Sequence, residues 1–90
     1  MGFKQAVIKK DGDVVRVRDL KIASFLVANG LRVTGMNWES KFCFFHFENS
    51  KEFDDLVNEY KFGKAMIETK KLYAAQDELK SLLYNSEEKK

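Results

Sequence analysis

The stretch Phe42-Cys43-Phe44-Phe45-His46-Phe47 holds four phenylalanines in six residues and decides the fold of this chain. We predict a β-strand over residues 41–48. Alternate side chains of a strand point to opposite faces, so the strand presents two different surfaces. Cys43, Phe45 and Phe47 share one face, which we assign to the core, and Phe42, Phe44 and His46 share the other.

The size and composition of the chain predict a single domain. It has 90 residues, of which 44% are hydrophobic and 13% are aromatic. Aromatic side chains give a small core a large buried area per residue. We therefore expect one domain over residues 1–84 and a disordered charged tail over residues 85–90.

The region before the aromatic strand predicts a hairpin, a helix and a further strand. Asp11-Gly12 predicts the hairpin, because both residues tolerate the positive φ of a type I′ turn. Asp19 is a typical N-cap for a helix from residue 20 to about residue 28, and Asn29-Gly30 ends that helix. A strand over residues 31–36 and a connection over residues 37–40 follow.

Two helices are predicted after the aromatic strand. The first begins near Asn49-Ser50 and ends at Gly63, and the second begins with Thr69 as its cap. Residues 64–67, between them, fit either a short edge strand or a loop. The predicted fold class is α+β, with a three- to four-stranded antiparallel sheet, helices mainly on one face, and a ferredoxin-like tendency. The predicted element order is β-hairpin-α-β-β-α-(β)-α.

The second face of the aromatic strand is the candidate binding surface. With the side chains predicted beside it, this face comprises Phe42, Phe44, His46, Arg32, Thr34, Met36, Trp38, Arg16 and Arg18. Rings and guanidinium groups on an open sheet are typical of single-stranded nucleic-acid binding. The same residue types are enriched at interfaces with a protein partner or a second copy of the chain. The pattern favours a third interpretation, burial within the monomer, since strands that are apolar on both faces are usually covered on both.

Residues 40–47 also resemble, in part, the aromatic strand motif of RNA-recognition domains. Phe42 and Phe44 stand where that motif has its stacking rings. Ser40 stands where the motif has a basic residue, and Lys41 stands where it has a glycine. Nucleic-acid binding therefore remains an alternative to protein binding.

The sequence has too few cysteine and histidine residues, at unsuitable spacings, to predict a catalytic or metal site. Cys43 and His46 lie three residues apart on a strand and point to opposite faces, and the chain has no second Cys or His. No nucleophile lies at a defined spacing from His46. We therefore expect a non-enzymatic protein without metal or cofactor. The net charge of +2 is far below that of strongly basic nucleic-acid binders.

Cysteine content and hydropathy bear on the compartment. A single cysteine, Cys43, excludes an intramolecular disulfide and favours a reducing environment. No apolar run approaches the roughly 20 residues of a membrane helix, and the N-terminus lacks the apolar core of a signal peptide. We expect a cytoplasmic protein that does not contact a membrane.

Several motifs resemble a family of small uncharacterised proteins from bacteriophages and Gram-positive bacteria. They are Asp19-Leu20, the run from Phe25 to Gly30, Phe44-Phe45-His46-Phe47, Glu48-Asn49-Ser50, Glu59-Tyr60 and Leu79-Lys80-Ser81-Leu82-Leu83-Tyr84, and together they span about residues 14–84. The resemblance implies no known activity and no catalytic residues. It implies a phage or mobile-element accessory protein that binds a host or phage protein in the bacterial cell.

Overall fold

A computed structural model describes residues 7–63 and 69–88 of the chain. Within those residues, four strands and three helices follow one another in the predicted order of hairpin, helix, two strands and two helices. The elements are β1 Ile8–Asp11, β2 Val14–Val17, α1 Leu20–Ala28, β3 Gly35–Glu39, β4 Phe42–Glu48, α2 Lys51–Lys61 and α3 Thr69–Glu88.

The four strands form one antiparallel sheet in the order β1-β2-β4-β3. β2 and β3 run parallel on either side of β4 and are connected through α1, which is a split β-α-β unit. β1 takes the edge position beside β2. The predicted α+β class with an antiparallel sheet is therefore confirmed.

The N-terminal hairpin forms, but its turn differs from the prediction by one residue. Asp11 pairs with Val14, so the two turn residues are Gly12 and Asp13. Gly12 has φ +66°, and Asp13 does not adopt a positive φ. A positive φ at the first turn residue alone is typical of a type II′ turn and not of the predicted type I′ turn.

α1 forms as predicted because both of its ends are capped. The carboxylate of Asp19 accepts hydrogen bonds from the backbone N–H groups of Lys21 and Ile22, at 2.7 and 3.1 Å. Gly30 ends the helix with φ +101°. The Asp19 cap thus provides acceptors for backbone N–H groups of the first helical turn, which would otherwise lack partners.

The strand predicted over residues 31–36 is wrong in its bounds, because β3 is Gly35–Glu39. The backbone N–H of Leu31 donates to the carbonyl of Leu26, so this residue closes α1 and does not begin a strand. The predicted connection over residues 37–40 is mostly strand as well. Its turn is reduced to Ser40-Lys41, since Glu39 already pairs with Phe42.

The two later helices form close to their predicted positions, although Thr69, the predicted cap of the second, is the first residue of α3 itself. The hydroxyl of Ser50 accepts a hydrogen bond from the N–H of Phe53 and caps α2. Residues 64–67, which were predicted as either strand or loop, lie outside the described residues. α3 continues to Glu88, into the predicted disordered tail, because no glycine or proline interrupts it there.

The core lies between the three helices and one face of the sheet. The predicted core face of β4 is confirmed, since Cys43, Phe45 and Phe47 are almost completely buried. Phe53 of α2 packs against Phe47, with ring centroids 6.0 Å apart. Each buried ring of this kind contributes roughly 1.5–3 kcal/mol through removal from water.

Candidate binding face

The side of the sheet opposite the helices is called the outer face here. Cross-strand pairing and the alternation of side chains place on it Lys9, Arg16, Arg18, Asn37, Glu39, Phe42, Phe44 and His46. Five of the nine predicted site residues are in this set: Phe42, Phe44, His46, Arg16 and Arg18.

The other four predicted site residues lie elsewhere, which corrects the predicted face. Met36 pairs with Phe45 and Trp38 pairs with Cys43, so both side chains lie on the helix side and pack against the core. Arg32 and Thr34 precede β3 and are exposed. The error follows from the misplaced strand, because a change of strand bounds and register changes which side chains share a face.

Phe44 lies on the outer face but is only 3% exposed. Nζ of Lys9 lies 5.0 Å from the centroid of its ring and 3.3 Å from Oε1 of Glu39. Lys9 is on one edge strand and Glu39 is on the other, so their ion pair spans the sheet above this ring. Phe44 is therefore part of the interior and is not available for stacking in this conformation.

Phe42 is the exposed aromatic residue at the start of β4, with 49% of its surface accessible. The guanidinium carbon of Arg18 lies 4.3 Å from the centroid of its ring. Such a cation–π contact holds the ring and the cation side by side. In the described part of the chain, no carboxylate pairs with Arg18.

Charged side chains occupy the middle of the outer face. Glu39 accepts from Nζ of Lys9 and, at 3.1 Å, from Nη1 of Arg16. The hydrogen bond from Lys9 is the largest of the effects that hold the pKa of Glu39 below its ordinary value. Arg16 also reaches Asp11 at 3.4 Å. Most of the charge in this region is therefore neutralised within the face.

His46 lies in the same region and is held by a hydrogen bond. Its Nε2 donates to Oδ1 of Asn37 over 2.6 Å. Its Nδ1 faces Gly35, where an added Cβ would lie only 3.2 Å away. Desolvation, together with the positive charge of Arg16, lowers the pKa of His46 below its ordinary value. Both effects favour the neutral form of the ring.

Sequence reasoning missed several residues of this face, among them Lys9, Asn37 and Glu39. Lys9 was detectable in principle, since it stands directly opposite Arg16 in the hairpin. Asn37 and Glu39 were assigned to a connection, and only the correct bounds of β3 place them on the outer face.

Three further observations concern possible metal ligands, the thiol and the helices. Among residues 7–63 and 69–88, no group of three or more His, Cys, Asp or Glu side chains is arranged to hold a metal ion. Burial raises the pKa of the Cys43 thiol to about 11, so this cysteine is a packing residue. None of the helices described is both long enough and apolar enough to cross a membrane.

A protein-family model, described as a domain of unknown function (DUF5659), matches residues 13–85. The chain belongs to the DUF5659 family. The matched region of this DUF5659 domain begins at Asp13, in the turn between β1 and β2, so it contains Phe42 and Arg18 but not Lys9. No curated protein and no solved structure matches the chain. The expected membership of an uncharacterised family is thereby confirmed.

Proposed function

We propose that this DUF5659 domain is a non-enzymatic protein-binding module and that Phe42 and Arg18 form the centre of its binding surface. The observation that carries the proposal is the exposed Phe42 ring stacked against a guanidinium group that pairs with no carboxylate of the described residues. Exposed aromatic and arginine side chains are enriched among the residues that dominate protein interfaces.

The turn beside this pair supports the proposal. Ser40 has φ +59°, a conformation that non-glycine residues rarely adopt, and Lys41 next to it is exposed. Ser40 is the first residue of a two-residue hairpin turn, a position at which type I′ and II′ turns require a positive φ. This turn therefore places the exposed Lys41 directly before Phe42, at one end of the sheet.

The partner in this proposal is a host or phage protein, and the domain acts as an accessory protein in the bacterial cytoplasm. This context rests on the resemblance to small phage and Gram-positive proteins. The mixed charge of the outer face agrees with a protein partner, since Lys9 and Arg16 are already paired with acidic residues. Few cations remain there for a phosphate backbone.

Single-stranded nucleic acid is the second candidate, and the stack of Arg18 on Phe42 is the observation that favours it. A stacking platform normally offers more than one ring. Here Phe44 is covered and Trp38 lies on the helix side, so Phe42 is the accessible ring of the predicted set. Self-association through the outer face is the third candidate.

Three measurements separate these candidates. Affinity capture from a nuclease-treated lysate of the organism that encodes the chain tests for a protein partner, and the purified captured protein must rebind. Anisotropy of a labelled single-stranded oligonucleotide, titrated at low and high salt, tests the second candidate. Light scattering over a hundredfold concentration range tests self-association. Salt-sensitive oligonucleotide binding without any rebinding protein would overturn the proposal.

A further inference from the structure

A cavity of about 350 Å³ lies on the helix side of the molecule, away from the outer face. α1 packs against both α2 and α3, and the cavity lies where side chains of all three helices meet. Its lining includes Lys21, Ser24, Phe25, Tyr60, Leu72 and Tyr73. Small-molecule sites typically measure about 300–1,000 Å³, so this volume suits a compact ligand.

Aromatic rings form most of the apolar wall. The rings of Phe25 and Tyr60 lie 5.5 Å apart at 50° to one another, and Phe25 is almost completely buried. Tyr73 is 61% exposed and stands at the rim. The wall therefore combines a contacting pair of rings, Phe25 and Tyr60, with the exposed ring of Tyr73, and this arrangement favours a planar aromatic ligand.

The polar groups of the lining indicate which charge a ligand would carry. Lys21 is the charged residue of the lining, and none of the carboxylates in the described residues pairs with it. Ser24 is 1% exposed, and its hydroxyl has no hydrogen-bond partner. Buried hydroxyl groups without a partner are rare in folded proteins. The lining also includes the polar residue Gln76, while the Ser24 hydroxyl is itself buried beneath the cavity wall. The exposed ammonium group of Lys21 is therefore the cationic group of the lining, and it suits an anion.

We propose that this cavity binds a small planar aromatic acid, with one or two fused rings against Phe25, Tyr60 and Tyr73 and its acidic group near Lys21. The site is separate from the outer face, so the proposal does not depend on the protein-binding function. An apolar lining with a few placed polar groups is the usual composition of such sites.

A matched pair of probes tests the class of ligand. 2-Naphthoate and its neutral analogue 2-naphthamide share the ring system and differ in charge. Each is titrated into the ¹⁵N-labelled full chain, and shifts of the backbone amides are followed by NMR. For a ligand of this size, naphthoate is expected to bind with a Kd of about 1 mM, and naphthamide several times more weakly. The shifts should be concentrated at Ser24, Leu72 and Tyr73.

Two variants locate the charge interaction. Lys21→Gln should weaken naphthoate binding about two- to fivefold and leave naphthamide binding unchanged. Lys51→Gln is the matched control, since Lys51 is an exposed helix lysine that does not line the cavity, and it should change neither. Amide spectra of both variants report whether the fold is intact. The proposal is overturned if naphthoate shifts no lining residue at 10 mM, in the range of ten times the expected Kd. Equal affinity for the two probes, or an equal effect of the two variants, overturns it as well.

Discussion

The guanidinium carbon of Arg18 lies 4.3 Å from the centre of the Phe42 ring, so the residue that follows β2 contacts the exposed start of β4. An exposed contact of this type contributes about 0.5–1 kcal/mol. The pair therefore leaves an aromatic surface accessible at small cost to stability, as a binding surface requires.

Phe42→Ala should lower the free energy of unfolding by only about 1 kcal/mol, because the ring is half exposed and loses mainly its contact with Arg18. Denaturant titration followed by circular dichroism measures this. Phe62→Ala, at an aromatic residue that is 73% exposed after α2, is the control and should change stability even less. A loss above about 3 kcal/mol for Phe42→Ala would identify the ring as structural.

Phe44→Ala, in contrast, should lower the free energy of unfolding strongly. This ring is 3% exposed beneath the ion pair of Lys9 and Glu39. Truncating a buried phenylalanine typically costs about 3–5 kcal/mol, a large part of the stability of a small domain. The same denaturant titration tests this. A loss no larger than that of Phe42→Ala would contradict the burial of Phe44.

Ser40→Gly should stabilise the protein by about 1 kcal/mol, because Ser40 holds φ +59° and glycine adopts this conformation without strain. Gly12→Ala is the reciprocal change, since Gly12 has φ +66° and open space where a Cβ would stand. It should destabilise by a similar amount. Thermal unfolding of both variants measures the effects, and a destabilising Ser40→Gly would show that the turn carries no strain.

Stability should fall as the pH is lowered from 7 through the region below 6.5, the ordinary pKa of histidine. The pKa of His46 is lowered in the folded protein, mainly by desolvation, so the unfolded chain binds this proton more tightly. The contribution of neutral His46 to the free energy of unfolding is therefore complete above pH 6.5. It is lost as the pH falls through the folded-state pKa of His46.

Denaturant titrations at pH 7.5 and 5.5 measure this dependence. His46 is the only histidine in the chain, so His46→Gln should flatten the profile in this interval. An NMR titration of the ring gives its pKa directly. A value at or above 6.5 would contradict the desolvated, Arg16-facing environment.

The sequence was most informative where local chemistry determines the structure. α1 was predictable from Asp19 and Gly30 because a capping carboxylate and a left-handed glycine act within a few residues. The core face of β4 was predictable because alternation along one strand needs no partner. The position of β3 was not, since the alternating residues 31–36 fit a strand as well as residues 35–39 do.

The prediction of the candidate site depended on the position of β3. The predicted bounds put Met36 and Trp38 on the wrong face and leave Glu39 in a connection, because cross-strand register is a long-range property. The burial of Phe44 could not be predicted from the sequence either. It depends on Lys9 and Glu39, which are 30 residues apart and meet above β4 only in the folded sheet.

The central claim is that the surface around Phe42 and Arg18 binds a protein. The most direct test is quantitative affinity capture from a nuclease-treated lysate of the encoding organism, using the unaltered chain, Phe42→Ala and Phe62→Ala side by side. We predict that the unaltered chain and Phe62→Ala capture the same protein equally, and that Phe42→Ala captures at least about tenfold less, as expected for a central interface residue. Equal capture by all three chains, or no specific protein captured by the unaltered chain, would contradict the claim.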